Sequence, residues 1–245
     1  MIEFSGDGIL LDIEGTTSSV RFVYDVMFPF VREHLEHYLQ RHWTDSSLAQ
    51  ACRQVATDAG HGSLGDWFCE CTDDQNEQQR LVKDEVLRQM DADAKVTGLK
   101  MLQGLIWQAG FERGDLVAHV YDDVVPALDA WNASAKDIRI YSSGSVQAQQ
   151  LFFGHTEQGN LLNRFRGHYD TRIGPKKEPA SYRKIADDFR LDAAEILFLS
   201  DIVAELNAAA QAGMKTGLCL RPENAPVAEG HNHPEFKAFS DIRVS

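Results

Sequence analysis

A chain of 245 residues, 43% hydrophobic and 25% charged, has the balance of a soluble globular protein and the length for one large domain or a core carrying an insertion. Its 37 acidic against 24 basic side chains leave a net charge of -13 with no Lys/Arg cluster, so the basic surface that nucleic-acid backbones require is missing and nucleic acid is not an expected partner. No run approaches the ~18 apolar residues of a membrane span, and no basic stretch leads into an apolar one at the N-terminus, so a cytoplasmic protein without membrane association is expected.

The first predicted element is the strand GILLD (8–12), an apolar run that ends directly in two carboxylates, Asp12 and Glu14, before Gly15 and Thr16 break the pattern. From Ser18 to Ala118 the periodicity turns helical. Val31, Leu35, Tyr38 and Leu39 form one stripe, Leu48, Cys52, Val55 and Ala56 another, and Leu99, Leu102 and Ile106 a third, with no strand among them. Cys52, Cys69, Cys71 and Cys219 include no C-x-x-C pair and are read as reduced packing residues.

Strand patterns resume with DIRIYSS (137–143), which ends in Ser142 and Ser143. Lys176 and Lys177 are read as beginning a helix whose apolar face is Tyr182, Ile185, Ala186 and Phe189. The strand EILFLSD (195–201) ends in Asp201, the helix formers AELNAAAQAG follow, Gly213 terminates that helix, and KTGLCL (215–220) is a fourth strand. The tract EGHNHPEF, with His231 and His233, reads as a polar loop with nothing to fix metal-ligand geometry. Strands alternating with helices predict an α/β fold with a parallel, Rossmann-like sheet. The expected organisation is a core of residues 1–17 and 119–245 interrupted by a helical cap over 18–118.

In an open α/β sheet ligands bind beyond the carboxyl ends of the strands, so Asp12, Glu14, Ser142, Ser143 and Asp201 are expected to converge, with Lys176 beside them. Each has a natural task in phosphoryl transfer. Asp12 is the candidate nucleophile, since a carboxylate can attack phosphorus and split one displacement into two. Asp12 and Asp201 together suit a hard cation such as Mg²⁺. Glu14 is the candidate general acid and base, Lys176 neutralises charge at the phosphoryl group, and the Ser142 hydroxyl holds a phosphoryl oxygen.

These motifs resemble those of the haloacid-dehalogenase-like (HAD-like) superfamily: Asp12-Ile13-Glu14-Gly15-Thr16 its first, Tyr141-Ser142-Ser143-Gly144-Ser145 its second, Lys176 its third and Ser200-Asp201 its fourth. Along nearly the whole chain the segments LDIEGTTSSVRFVYDVMFPF, VYDDVVPALDAW, IYSSGSVQAQQLFFGH, GPKKEPASYRKIA and LFLSDIVAELNAA are similar to the acireductone synthase (enolase-phosphatase) family of methionine salvage. Glu14 in place of the superfamily's usual Asp, and the paired serines, carry the specific part of that resemblance.

The resemblance implies a Mg²⁺-dependent phosphohydrolase, monomeric and cytoplasmic, whose only partner is a small phosphorylated diketone. It would enolise 2,3-diketo-5-methylthiopentyl-1-phosphate and then remove its phosphate. It implies a metal site of Asp12, Glu14 and Asp201, with Glu14 contributing its carboxylate or its backbone carbonyl, catalytic roles for Asp12, Glu14 and Lys176, and substrate contacts from Ser142, Ser143 and Lys176. Lys177 beside Lys176 departs from the pattern, and the match to Gly174-x-Lys176 favours the first lysine. The enolisation base stays open among Glu14, Lys176, a metal-bound hydroxide and a group from the insertion. Two rivals are a phosphatase or mutase acting on another phosphate ester and a receiver-like signalling module. The second is disfavoured because receivers are about half this length and phosphorylate an Asp on the third strand.

Overall fold

The computed structural model describes residues 1–227 and 230–245. The chain forms two compact units, Met1–Val23 with Val117–Ser245, and Tyr24–Leu116. Against the expected division at 17/18 and 118/119, the crossings lie at 23/24 and 116/117. The segments just inside the expected boundaries bond to one another within the first unit: Tyr121 N donates to Thr17 O at 3.1 Å, and Ser19 N donates to His119 Nδ1 at 3.3 Å.

The first unit begins with β1 (Ile2–Phe4) and β2 (Gly8–Leu11). The second unit is helical: α1 (Phe28–His42), α2 (Ser46–Asp58), α3 (Leu64–Cys71), α4 (Gln75–Asp91) and α5 (Thr97–Arg113). The chain then returns through α6 (Val124–Ala133), β3 (Asp137–Tyr141), α7 (Val146–Gly154), β4 (Gly167–Tyr169), α8 (Pro179–Phe189), β5 (Ile196–Ser200), α9 (Val203–Gln211), β6 (Lys215–Cys219), β7 (Glu235–Phe236) and β8 (Ile242–Val244).

Six strands form a wholly parallel sheet in the order β4-β3-β2-β5-β6-β7, while β1 and β8 pair separately. β2 is buried at every position and lies in register with both neighbours, Leu11 opposite Ile140 of β3 and Leu199 of β5. A central parallel strand covered on both faces needs such an uninterrupted apolar run. After β2 the chain adds β3 and β4 on one side, then crosses to add β5 and β6 on the other. The direction of winding therefore reverses between β2 and β5, and that is where such sheets open a crevice.

Sequence periodicity found the four interior strands and missed β1, β4, β7 and β8, which have two or three residues each and include positions left exposed or half-buried. Lys176 and Lys177 do not begin a helix. They form a turn, and α8 starts at Pro179, whose missing N–H is harmless in a first turn and whose ring keeps Glu178 extended (φ -115°, ψ 127°). The cysteines also need correction: Cys52 and Cys219 pack inside, but Cys69 and Cys71 are exposed, and all four are free.

In the helical unit the expected stripes are buried, with Tyr38 only half-buried. Asp74 caps α4 by accepting from Asn76 N and Glu77 N, and Gly114 ends α5 in the left-handed region at φ 78°. α5 lies so close to α2 that a Cβ on Gly98 would run into the backbone nitrogen of Val55.

Candidate active site

Asp12 and Asp201 emerge side by side at the reversal point. Asp12 N donates to Leu199 O at 3.0 Å, continuing the β2–β5 pairing one residue past the strand, and Asp201 directly follows β5. Asp12 is only 3% exposed. Its Oδ1 accepts from Ile13 N and lies against Lys176 Nζ, both at 2.7 Å, while Ser200 Oγ lies 3.1 Å from its Oδ2. Lys176 Nζ is also 2.7 Å from Glu205 Oε2, and Ser200 Oγ is 3.1 Å from the same oxygen. One ammonium thus bridges two buried carboxylates, and one hydroxyl can donate to either.

Lys176 is held there by its backbone. Tyr141 Oη donates to Gly174 O at 2.8 Å, Ser181 Oγ to Pro175 O at 2.8 Å and Tyr182 Oη to Lys176 O at 2.7 Å, so three successive carbonyls are fixed from β3 and α8. Lys177 next to it is exposed. Burial works against the charge on Lys176, but Asp12 and Glu205 outweigh it and raise its pKa above the ordinary lysine range. Burial, then the Asp12 charge, pushes Glu205 up to about 7 against the opposing pull of Lys176. Burial and Asp12 likewise push Asp201 up to about 7, with Lys176 opposing and Glu14 adding to the rise.

Glu14 is half-buried on the loop after β2. Gly15 follows in the left-handed region at φ 71°, and a Cβ there would strike Asp201 Oδ2, so only glycine lets the Asp201 carboxylate sit against this loop. Ser142 is 2% exposed at the end of β3, its Oγ accepting from Gly144 N at 3.1 Å, whereas Ser143 is exposed. Sequence reasoning placed Ser200 in the fourth motif without giving it a role, and it missed Glu205. Glu205 lies in the first turn of α9, four residues after Asp201, and the helix-forming composition of AELNAAAQAG concealed a carboxylate aimed back at the strand end.

Among the described residues no group of three His, Cys, Asp or Glu side chains is placed to hold a metal ion. Mg²⁺ does not need one, since it is usually held by one or two carboxylates with water and substrate phosphate. Asp12 and Asp201 provide that pair. Burial lifts Asp201 first and repulsion from Asp12 second, and a bound cation would offset both by favouring the charged carboxylates, so the donor set fits Mg²⁺.

The histidine tract is more ordered than a bare loop. Glu229 lies outside the described residues, but Glu235 and Phe236 form the edge strand β7, and His233 is held through Nδ1 by Thr216 Oγ1 at 2.8 Å and through Nε2 by Asn207 Oδ1 at 2.9 Å. Both ring nitrogens of His233 are therefore committed to structure.

Residues 7–213 match the family model of haloacid dehalogenase-like hydrolases. The chain is 43% identical to an enolase-phosphatase E1 of Methylococcus capsulatus, covering 96% of each chain, and 42% identical to one of Branchiostoma floridae, covering 96% of this chain and 82% of that one. The crystal structure of the UTR4 protein of Saccharomyces cerevisiae superposes with a TM-score of 0.78 at 32% identity, over 96% of this chain and 98% of that one.

Proposed function

Since this chain belongs to the haloacid dehalogenase-like hydrolases and, within them, to the enolase-phosphatases, we propose that the site at the β2–β5 reversal enolises 2,3-diketo-5-methylthiopentyl-1-phosphate and then hydrolyses it. The products are 1,2-dihydroxy-3-keto-5-methylthiopentene and phosphate, a step of methionine salvage. The observation that carries the reading is the buried pair of Asp12 Oδ1 and Lys176 Nζ, 2.7 Å apart at the carboxyl end of the central strand. It joins a nucleophile to the charge that its phosphorylated state requires.

In this reading an Asp12 oxygen bonds to phosphorus as the bond from phosphorus to the C1 oxygen breaks, leaving an aspartyl phosphate. Glu14 gives its proton to the departing oxygen, then takes one from the water that attacks the aspartyl phosphate, and Asp12 is restored as phosphate leaves. Lys176 compensates the negative charge of the transferred group, Glu205 and Ser200 hold Lys176 and Asp12 in place, and the Ser142 and Ser143 loop receives phosphoryl oxygens. Asp12, Asp201 and the Glu14 backbone carbonyl would hold Mg²⁺, which when bound offsets repulsion between carboxylate and phosphate and polarises the diketone. Residues 24–116 act as the cap, and the enzyme works as a cytoplasmic monomer.

The test is to incubate the protein with the diketo phosphate and Mg²⁺ and follow enol absorbance and phosphate together, beside a panel of sugar phosphates. Release of both products from the diketone, with weak turnover of the sugars, is expected. Preferential hydrolysis of a sugar phosphate without enol formation would replace this reading with that of a sugar phosphatase.

A further inference from the structure

The loop that carries Asp12 and Glu14 is tied on one side by its own bonds and on the other by a segment far along the chain. Thr17 N and Ser18 N donate to Ile13 O at 3.0 and 2.9 Å, and Gly15 N donates to Ser18 O at 2.7 Å. The carbonyls of Gly15 and Thr16 are held instead from the segment after β6. Asn224 Nδ2 donates to Gly15 O at 2.9 Å, and Arg221 donates twice to Thr16 O, from Nε at 3.2 Å and Nη2 at 3.0 Å.

Arg221 is built to stay where it is. It is 8% exposed, its Nη1 pairs with Asp123 Oδ1 at 3.0 Å and donates to Lys237 O at 3.1 Å, and its guanidinium lies 4.1 Å from the Tyr121 ring centroid. Asp123 is itself fixed, its Oδ2 accepting from Phe239 N at 2.6 Å. A planar fork with one nitrogen on a carboxylate, two on a single carbonyl and a face on an aromatic ring is a geometry that lysine cannot reproduce.

What this fork holds matters because Gly15 backs directly onto Asp201. The glycine has no side chain to fix its own φ of 71°, and its peptide sets how near the loop lies to Asp201 Oδ2. The geometry points to Arg221 and Asn224 as positioning residues: by pinning the carbonyls of residues 15 and 16 they set the spacing of Asp12 and Glu14 from Asp201, without touching substrate. Misplacement by about 1 Å at such a site costs on the order of 10²-fold in rate. The strap therefore acts on turnover and leaves substrate affinity nearly unchanged.

This inference rests on the reaction assigned above, and the test separates the two. Arg221→Lys keeps a charge beside Asp123 but loses the double donation to Thr16, and Asn224→Ala removes the donor to Gly15. Both are assayed on the diketo phosphate and on p-nitrophenyl phosphate, well below their melting temperatures. In each variant kcat is expected to fall ~10-fold or more while KM stays within ~3-fold of the parent. If Arg221→Lys does not fold, Asn224→Ala alone decides. Retention of kcat within ~2-fold, or a rise in KM at unchanged kcat, overturns the strap. A parent enzyme inactive on the diketone, with variants that lose kcat on the aryl ester to the same extent, overturns the assigned reaction and leaves the strap standing.

Discussion

Lys176 keeps its charge in a place where burial alone would remove it, because Asp12 and Glu205 both lie 2.7 Å from Nζ. A positive charge at a water-excluded phosphoryl group is worth several kcal/mol in the transition state, so Lys176→Ala should lower kcat by ~10²-fold or more. Lys177→Ala should leave kcat near the parent value, since that side chain is exposed. Steady-state rates of the two variants decide between them, and the reverse pattern would move the role to Lys177. Asp201 gives a prediction on stability. Its folded pKa, pushed to about 7, lies above the value of an unfolded Asp, so the folded protein binds the proton more tightly and the charged carboxylate destabilises it above pH 7. In chelator, Asp201→Asn should be more stable than the parent at pH 8 by on the order of 2 kcal/mol. That advantage should shrink as pH falls through 7 toward 4, and Mg²⁺ should reduce it at pH 8 while partly restoring the variant's lost activity. Urea denaturation at several pH values checks this; an advantage that grew on acidification would contradict the assignment.

Among the elements, close approach and open space make opposite predictions for two glycines of α5. A Cβ on Gly98 runs into backbone of α2, which cannot rotate away, so Gly98→Ala should destabilise by about 1–3 kcal/mol despite the better helix propensity of alanine. Gly104 has nothing within 4 Å of its built Cβ, and Gly104→Ala should be neutral or stabilising by up to about 1 kcal/mol. Urea midpoints of the two variants test the pair. The same contrast explains how far the sequence was legible. Interior strands such as β2 and β5 are apolar at nearly every position and announce themselves. β4 (GHY) and β7 (EF) do not, because a short strand at the sheet edge gets its backbone partners from the fold and asks little of its side chains. Two lysines fit a helix by propensity, but Pro179 decides where α8 begins.

For the whole molecule, the sequence exposed the candidate site through its order: acid after the first sheet strand, serines after the second, lysine before α8, acid after the strand that crosses to the other side. Asp12, Ser142 and Asp201 sit at adjacent strand ends because parallel winding puts every carboxyl end on one edge. Glu205, Arg221 and Asn224 were not legible, since a carboxylate within a helix and two polar residues in a late loop acquire meaning only when the chain brings them to Lys176 and to the Gly15 loop, and Ser200, legible as part of a motif, shows its role only through its contacts with Asp12 and Glu205. The central claim is that this one site performs two steps with separable demands: phosphorus transfer needs the Asp12 nucleophile, and enolisation, which moves a carbon-bound proton, does not. The direct measurement is deuterium uptake from D₂O into the diketo phosphate, with phosphate release, by Asp12→Asn protein shown still to bind Mg²⁺. Phosphate release is expected to vanish while slower proton exchange persists and the enol phosphate accumulates. Loss of enzyme-catalysed exchange together with phosphate release would contradict it, because Asp12 would then serve both steps.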